Sequence, residues 1–260
     1  MRKQPSIVAL VPARSGSKRL AGKNVRMLAG HPLMAYTIAA ARESGIFSQV
    51  VVSTDSSEYA AIARHYGAEA PFLRPANLSG DTSPDIEWVR HALETLRANG
   101  KTFDCFSILR PTSPFRQADT IRRAWAQFLQ AGEVDSIRAV EKCKQHPGKM
   151  WLIREGRLRP MLSPDVQQSI FGLRQGSVPW HSSQYQALPE VYVQNASLEM
   201  AWTRVVLEYG TIAGEFVVPF LTQGYEGFDV NHPYDWKLAE DIIAAGEARL
   251  PGVNSPPCST

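Results

Sequence analysis

The sequence has little of what marks membrane, secreted or nucleic-acid-binding proteins. No apolar run in its 260 residues approaches the roughly 20 residues that a membrane-spanning helix needs. Only a short apolar run precedes Arg14, so we expect no secretory signal. The net charge is only +3, and no Lys/Arg block is interleaved with aromatic residues. We therefore expect neither a membrane nor a nucleic acid among the partners.

Cysteine and histidine are scarce, which argues against several kinds of catalytic and metal site. The three cysteines, Cys105, Cys143 and Cys258, lack metal-type spacing, and their odd number suits a reducing cytoplasm. The six histidines offer no convincing Ser/His/Asp triad. We therefore predict a cytoplasmic protein in which other residue types carry the function.

Short apolar runs alternate with amphipathic segments along most of the chain. Ile7–Val11 and Val50–Ser53 are typical of buried strands, and apolar residues at helical spacing follow each of them. We expect Asp81 or Ser83 to cap the helix that carries Ile86. Further on, we expect a strand at 191–193, a helix near 202–209 and a final helix from Pro233. This alternation predicts an α/β fold with a mostly parallel, Rossmann-like sheet and helices on both faces.

Residues 150–194 depart from this alternation. Apolar runs at 151–153 and 158–162 flank a polar turn and predict a hairpin. The stretch that follows lacks helical periodicity, and a structureless loop of that length is unusual inside a compact domain. We therefore predict one domain, residues 1–250, with a protruding dimerisation arm inserted at about 150–194. The small, polar and Pro-rich tail, residues 251–260, is expected to be disordered.

A cluster of positive charge directly follows the first predicted strand. Arg14, Lys18 and Lys23 supply cations, and Gly16 permits close approach of a ligand to the backbone. The spacing differs from that of a Walker A motif. Charge runs are often only solvated surface, but this position, directly after a buried strand, favours anion binding.

Six short motifs, in one order along residues 7–240, resemble those of the acylneuraminate cytidylyltransferases, also called CMP-sialic acid synthetases. The motifs are Ala13-Arg14-x-x-Ser17-Lys18-x-Leu20-x-x-Lys23-Asn24, Val52-Ser53-Thr54-Asp55, Leu73-Arg74-Pro75-Ala76 with Asp81-Thr82-Ser83, Pro111-Thr112-Ser113-Pro114-x-Arg116, His146-Pro147-x-Lys149, and Asp229-Val230-Asn231. Each motif alone is weak, but six in order are specific.

The resemblance implies transfer of CMP from CTP to the anomeric hydroxyl of a nine-carbon 2-keto sugar acid, with pyrophosphate release assisted by Mg²⁺. It implies that Arg14, Lys18 and Lys23 are the catalytic cations and that the arm forms a homodimer. The remaining nucleotide-binding residues would be Ala13, Ser15, Gly16, Ser17, Asn24, Arg74 and Ser83. The sugar would meet Arg110, Thr112, Ser113, Lys149, Gln194 and Asn195, and the metal would meet Asp229 and Asn231.

Several positions depart from the family pattern, and most concern the sugar side. Arg110 stands where the family commonly has Gln, Tyr185 near a position where an arginine is frequent, and Asp85 where a serine is frequent. A guanidinium cannot accept a hydrogen bond, so Arg110 is expected to bind a carboxylate or to meet a different substituent. If Arg110 binds the acid, Arg110→Gln raises the KM for the acid far more than the KM for CTP.

Asn231 replaces the second carboxylate of the family's Asp-x-Asp. It is expected to bind Mg²⁺ more weakly, or only to cap the last helix. Two other functions stay open. One is a nucleotidyltransferase for another acidic acceptor, either Kdo-like or unrelated. The other is a noncatalytic homologue that binds CTP.

Overall fold

The computed structural model describes residues 4–171 and 178–256. Its strands are β1 (Ile7–Pro12), β2 (Met27–Leu28), β3 (His31–Pro32), β4 (Gln49–Ser53), β5 (Cys105–Ile108), β6 (Ser136–Lys142), β7 (Trp151–Arg154), β8 (Arg157–Pro160), β9 (Tyr192–Trp202) and β10 (Val217–Leu221). Its α-helices are α1 (Leu33–Ser44), α2 (Ser57–His65), α3 (Asp85–Ala98), α4 (Ala118–Gln130), α5 (Pro164–Phe171), α6 (Thr203–Leu207) and α7 (Pro233–Ala244). No helix of this described part combines the length and apolar composition needed to cross a bilayer.

Six strands form the central sheet, in the order β10-β6-β9-β5-β1-β4. Strand β1 runs parallel to both β4 and β5, and β10 runs parallel to β6. Strand β9 is antiparallel to β5. The mostly parallel sheet predicted from the sequence is therefore confirmed.

Strand β1 shows why helices cover both faces of this sheet. Its side chains alternate between the faces because successive residues of a strand point in opposite directions. Ile7, Ala9 and Val11 belong to one core cluster, which they share with α1, α2 and α4. Val8 and Leu10 belong to a second cluster, built with α3 and α6. A strand buried on both sides has no polar alternation, and this explains the continuous apolar run in the sequence.

The chain divides into two compact units, Met1–Val140 with Gln194–Thr260, and Glu141–Val193. The second unit contains the antiparallel hairpin β7–β8, which confirms that local prediction. Its turn residues, Glu155 and Gly156, both have positive φ, as a type I′ hairpin turn requires. Residues 172–177 of the predicted arm lie outside the described part of the chain. The single domain with an inserted arm stays a prediction.

The strand predicted at 191–193 is present but longer than expected, and the cap predicted for α3 is wrong; tertiary contacts explain both. The strand expected at 191–193 extends to Trp202 as β9 because its second half pairs with β5, leaving only the short helix α6. Helix α3 has Pro84 at its N-cap and no side-chain cap. Asp81 instead pairs with distant cations, and the Ser83 hydroxyl donates to the carbonyl of Asn77 at 3.2 Å.

The predicted disordered tail begins in residues that the structure describes. Pro251 is buried, and the carbonyl of Pro256 lies 2.8 Å from Nε2 of His65. Residues 257–260 lie outside the described part. The expectation of disorder stays a prediction for them.

Gly214 gives a test of this packing. It has a φ of +74°, and an added Cβ would lie 2.3 Å from the Cβ of Asp135, whose carboxylate accepts the N–H of Phe216. Gly210 has a similar φ of +71°, but its nearest contact would be the flexible end of Arg90 at 3.7 Å. We expect Gly210→Ala to lower the free energy of unfolding by about 1–2 kcal/mol through backbone strain. Gly214→Ala should lose about 1–3 kcal/mol more through overpacking. Equal losses in urea unfolding would contradict this packing.

Candidate active site

A cavity of about 470 Å³ opens where the parallel strands end. Pro12 of β1 lies in register with Ser53 of β4, and Leu10 with Ile108 of β5, so the segments after these strands emerge together. Eleven of the residues predicted from the sequence line this cavity: Arg14, Lys23, Asn24, Arg74, Ser83, Arg110, Thr112, Gln194, Asn195, Asp229 and Asn231. The fold thus brings residues from widely separated motifs to one place.

A second cavity of about 330 Å³ lies against residues 14–24, the basic loop that follows β1. It is lined by Arg14, Ser17, Lys18, Arg19, Lys23, Asn24 and Asp81, most of which also line the larger cavity. Arg74, Trp88 and Arg110 line the larger cavity but not the smaller one. The charged lining is therefore divided into a basic end and a mixed end.

The basic loop is held in shape by its own polar residues. Nδ2 of Asn24 donates to the carbonyl of Arg14 at 3.1 Å. The N–H and hydroxyl of Ser15 both donate to Asp55, at 2.7 and 3.0 Å, so these groups fix the loop. Ala13 is buried and ties the loop to β4 through the carbonyl of Ser53. No heavy atom lies within 4 Å of where a Cβ on Gly16 would stand, so its backbone stays open to a ligand.

Lys23, near the end of the basic loop, connects the loop to the segment before α7. Its Nζ donates to the carbonyl of Val230 at 3.2 Å. Burial lowers the pKa of Lys23, and the carboxylate of Asp229 offsets part of this effect. A partly buried ammonium interacts more strongly with an anion than an exposed one does, because less water screens it.

The sequence shows no acidic neighbour for these cations, but the structure supplies one. Asp81 reaches Arg14 with one carboxylate oxygen at 2.8 Å and Lys18 with the other at 2.6 Å. These hydrogen bonds, led by that from Lys18, lower the pKa of Asp81. The partner was missed because it lies far along the chain and resembled a helix cap.

Arg74 combines a structural and a lining role. Its guanidinium donates to the hydroxyl and carbonyl of Ser53 at 3.1 and 2.8 Å, which fixes it at the end of β4. It also lies 4.8 Å from the ring centroid of Trp88. Burial lowers the pKa of Arg74 to about 10. Trp88 was predicted only as part of a helix, yet it forms part of the cavity wall.

Arg110 is the centre of a chain of four charges. It donates to Asp85 at 2.8 Å and to Glu199 at 2.7 Å, and Glu199 pairs in turn with Arg138 at 2.5 Å. Burial alone would lower the pKa of Arg110, but Glu199 and Asp85 outweigh it and raise that pKa. The indole of Trp88 donates to the other oxygen of Asp85 at 2.7 Å. Two departures from the family pattern, Arg110 and Asp85, are thus partners of each other.

Three neutral polar residues complete the mixed end. Thr112 lines the cavity, and its carbonyl accepts the N–H of Val230 at 2.8 Å. Nδ2 of Asn195 donates to the hydroxyl of Thr222 at 2.9 Å. Nε2 of Gln194 approaches Glu199 at 3.4 Å. These contacts fix the amides, while the side chains still border the cavity.

Two residues expected on the sugar side lie elsewhere. Ser113 is 1% exposed, and its hydroxyl has no hydrogen-bond partner within the described ranges. Lys149 belongs to the second unit, where its ammonium donates to the carbonyls of His181 and Ser183. Tyr185, also of that unit, donates its hydroxyl to the carbonyls of Cys143 and Lys144. A role for Ser113 and Lys149 toward a sugar stays a prediction.

Asp229 and Asn231 form the predicted metal pair. Asn231 donates its amide to one oxygen of Asp229, and the other oxygen is buried without a partner among the described residues. The alternative that Asn231 only caps α7 is wrong, because His232 and Asp235 form the capping box and Asp235 accepts the N–H of Asn231. The described residues contain no cluster of three or more His, Cys, Asp or Glu that could hold a metal. A cation here would need further ligands from substrate or water, as Mg²⁺ usually does.

Arg116 ends the motif that begins at Pro111, and the sequence predicts no role for it. It is 1% exposed, and its guanidinium donates to the carbonyls of Arg110 and Ser197 and, at 2.7 Å, to the hydroxyl of Thr37. It therefore connects α1, the segment after β5 and strand β9.

Comparison with known proteins points to one family. A family model described as cytidylyltransferase matches residues 8–147. A CMP-N,N'-diacetyllegionaminic acid synthase of Legionella pneumophila is 34% identical over 245 residues, which are 94% of this chain and 99% of that protein. An N-acylneuraminate cytidylyltransferase of Escherichia coli is 47% identical over 118 residues, which are 45% of this chain and 27% of that protein. A solved CMP:2-keto-3-deoxy-manno-octonic acid synthetase complexed with CTP has a TM-score of 0.64 at 12% identity, covers 93% of this chain and 99% of its own, and shares the fold.

The charge chain predicts the effect of removing Arg110 on folding. Arg110→Gln leaves Asp85 without its cation and leaves Glu199 with Arg138 alone. We expect the free energy of unfolding to fall by about 1–3 kcal/mol, because a charged group loses its partner. The exposed Arg97→Gln should cause almost no change.

A double-mutant cycle measures how much the Arg110–Glu199 ion pair contributes to stability, apart from other effects of replacing Arg110. Arg110→Gln with Glu199→Gln should lose less than the sum of the two single losses, as measured by chemical unfolding. Strictly additive losses would show that the two side chains do not stabilise each other.

Proposed function

The chain belongs to the cytidylyltransferase family, and we propose that it transfers CMP from CTP to the anomeric hydroxyl of a sialic-acid-like 2-keto sugar acid, releasing pyrophosphate. One observation carries this proposal: a single cavity joins the basic loop to the Asp229–Asn231 pair and to the polar groups around Thr112. The name of the Legionella pneumophila relative, which aligns over nearly the full length of both chains, supports a nine-carbon acceptor.

The reaction exchanges one phosphorus–oxygen bond for another. The anomeric oxygen forms a bond to the α-phosphorus, its proton is released, and the bond from the α-phosphorus to the bridging oxygen breaks. Pyrophosphate keeps the electron pair, so negative charge grows on that oxygen. Arg14, Lys18 and Lys23 can stabilise this charge because all three line the two cavities.

We propose that Mg²⁺ takes part and that Asp229 and Asn231 hold it. One oxygen of Asp229 is buried with no hydrogen-bond partner in the described part of the chain, and it fits this role because such an oxygen needs a cation or a donor. The bound ion would neutralise charge on the phosphates. Lys23, beside the same segment, supplies part of that neutralisation from the protein itself.

The acceptor side must bring a carboxylate close to a triphosphate. These anions repel each other, so cations or donors must lie between them. Arg110 lies at this end, but Asp85 and Glu199 already offset its charge. An acceptor carboxylate would therefore compete with Asp85 for Arg110, while Thr112, Gln194 and Asn195 offer neutral groups.

We propose CTP and an acidic sugar as the partners, with neither a nucleic acid nor a membrane required. We also propose a cytoplasmic location, where CTP is available. The free thiols of Cys105 and Cys143 also suit a reducing compartment.

We also propose that two copies pair through the arm at about 150–194. The second unit presents exposed apolar side chains on the β7–β8 hairpin, among them Ile153 at 78% and Leu158 at 59% exposure. Apolar groups clustered on a short hairpin are typical of an interface.

A pyrophosphate-release assay tests the proposed reaction. The chain, CTP and Mg²⁺ are incubated with neuraminic, legionaminic, pseudaminic and eight-carbon Kdo acids, and products are identified by mass. We expect release with a nine-carbon acid and loss of activity when EDTA removes the metal. Arg110→Gln should raise the KM for the acid far more than the KM for CTP, and equal effects would contradict a role for Arg110 in acid binding.

Other outcomes of the same assay support the alternatives. Release only with Kdo would move the acceptor to the eight-carbon acids. No release with any acid, despite measurable CTP binding, would indicate a noncatalytic homologue.

The dimer has its own test. Ile153→Glu with Leu158→Glu should convert a dimer to a monomer in size-exclusion chromatography with light scattering, because charge would enter an apolar interface. Leu238→Glu, at a half-exposed leucine of α7 in the first unit, serves as the control and should leave the dimer intact. A wild-type monomer, or a dimer unaffected by the hairpin substitutions, would disprove pairing through the arm.

A further inference from the structure

Asp81 occupies the basic end of the cavity in the protein alone. Its two oxygens contact Arg14 at 2.8 Å and Lys18 at 2.6 Å, and Asp81 lines both the larger and the smaller cavity. The carbonyl of Ser79, on the same segment, also accepts a hydrogen bond from Arg14 at 3.4 Å. The segment 79–84 contains no helix or strand and leads directly into α3.

These contacts are the ones that a phosphate group would make. A carboxylate presents two oxygens to a guanidinium and an ammonium much as two phosphate oxygens do. Arg14 and Lys18 are among the cations assigned above to the triphosphate. A polyphosphate that binds them must therefore replace Asp81 or share them with it.

We propose that Asp81 is an internal competitor for polyphosphate: its carboxylate pairs with Arg14 and Lys18, is displaced when CTP binds, and returns as pyrophosphate leaves. This proposal rests on the proposed function, which places the triphosphate at the basic loop. Competition of this kind weakens the binding of CTP and of pyrophosphate alike. Its benefit is faster product release and a site that free phosphates do not block.

The ion pairs of Asp81 are weak enough for a polyphosphate to displace them. Asp81 is about one-third exposed and Lys18 is 84% exposed. Ion pairs this exposed are weak and are screened by salt. A polyphosphate carries several charges and can contact more cations of the loop at once, so it displaces a single carboxylate.

Binding to Asp81→Asn tests the proposal. The full-length protein and the variant are titrated calorimetrically with inorganic pyrophosphate, CTP and CMP, in EDTA and in Mg²⁺. We expect the Kd for pyrophosphate and for CTP to fall by about two- to thirtyfold in the variant. The gain should shrink at high salt. The Kd for CMP should change little, because CMP lacks the β- and γ-phosphates that the proposal places at Arg14 and Lys18.

Two further variants keep the result interpretable. Asp81→Ala removes the amide that Asn could still offer to the same cations, and it should show the same tightening. Asp241→Asn removes an equal charge from an exposed aspartate that pairs with Lys237 on α7, and it should leave every Kd unchanged. Thermal melting confirms that each variant is folded.

Each outcome decides the matter. Unchanged or weaker binding of pyrophosphate by the Asp81 variants overturns the proposal. Weaker binding that is seen only in the titrations with Mg²⁺ also overturns it, since Asp81 would then act through the metal. If the wild type transfers CMP but the variants bind pyrophosphate and CTP no more tightly than it does, only the role of Asp81 fails. If the wild type binds neither CTP nor pyrophosphate, the proposed function fails and the role of Asp81 falls with it.

Discussion

Positive charge gathered at one edge of the sheet is the constraint around which the candidate site is arranged. Cations brought together out of water repel one another and lose hydration, so anions placed near them stabilise the arrangement. Asp81 is such an anion for Arg14 and Lys18, and Asp85 and Glu199 are such anions for Arg110. The cavity thus keeps an excess of positive charge, which its carboxylates offset only in part.

A fully buried cation holds the frame of that cavity. Arg116 lies beneath the lining segments and donates to the carbonyls of Arg110 and Ser197. The first carbonyl belongs to the segment after β5, and the second to β9. Backbone carbonyls satisfy such a cation without adding a further charge. The position of the lining therefore depends on a residue that a ligand does not touch.

The sequence predicted well those features that are local or tied to the sheet. The buried run of β1, the hairpin at β7–β8 and the basic loop follow from patterns within a few residues, and the order of the motifs indicates the family. The ion pair of Asp81 with Lys18 and that of Arg110 with Glu199 were missed, because each joins distant parts of the chain. No periodicity or spacing signals a partner that only the folded chain brings near.

The length of β9 and the true cap of α3 escaped prediction for a related reason. Pairing with β5 decides where β9 ends, and local propensity does not contain that information. Asp81 has a side chain well suited to capping, but in the folded chain it pairs with two cations of the basic loop instead. In both places a tertiary contact outweighs a local preference.

The contact between Asp85 and Arg110 restricts how this chain can change over evolutionary time. Each side chain neutralises the other, so replacing one alone leaves an unmatched charge at the cavity wall. Descendants can keep both charges or lose both, but either route passes through a less favourable intermediate. The two positions are therefore expected to vary together among relatives, although they lie on different elements of the fold.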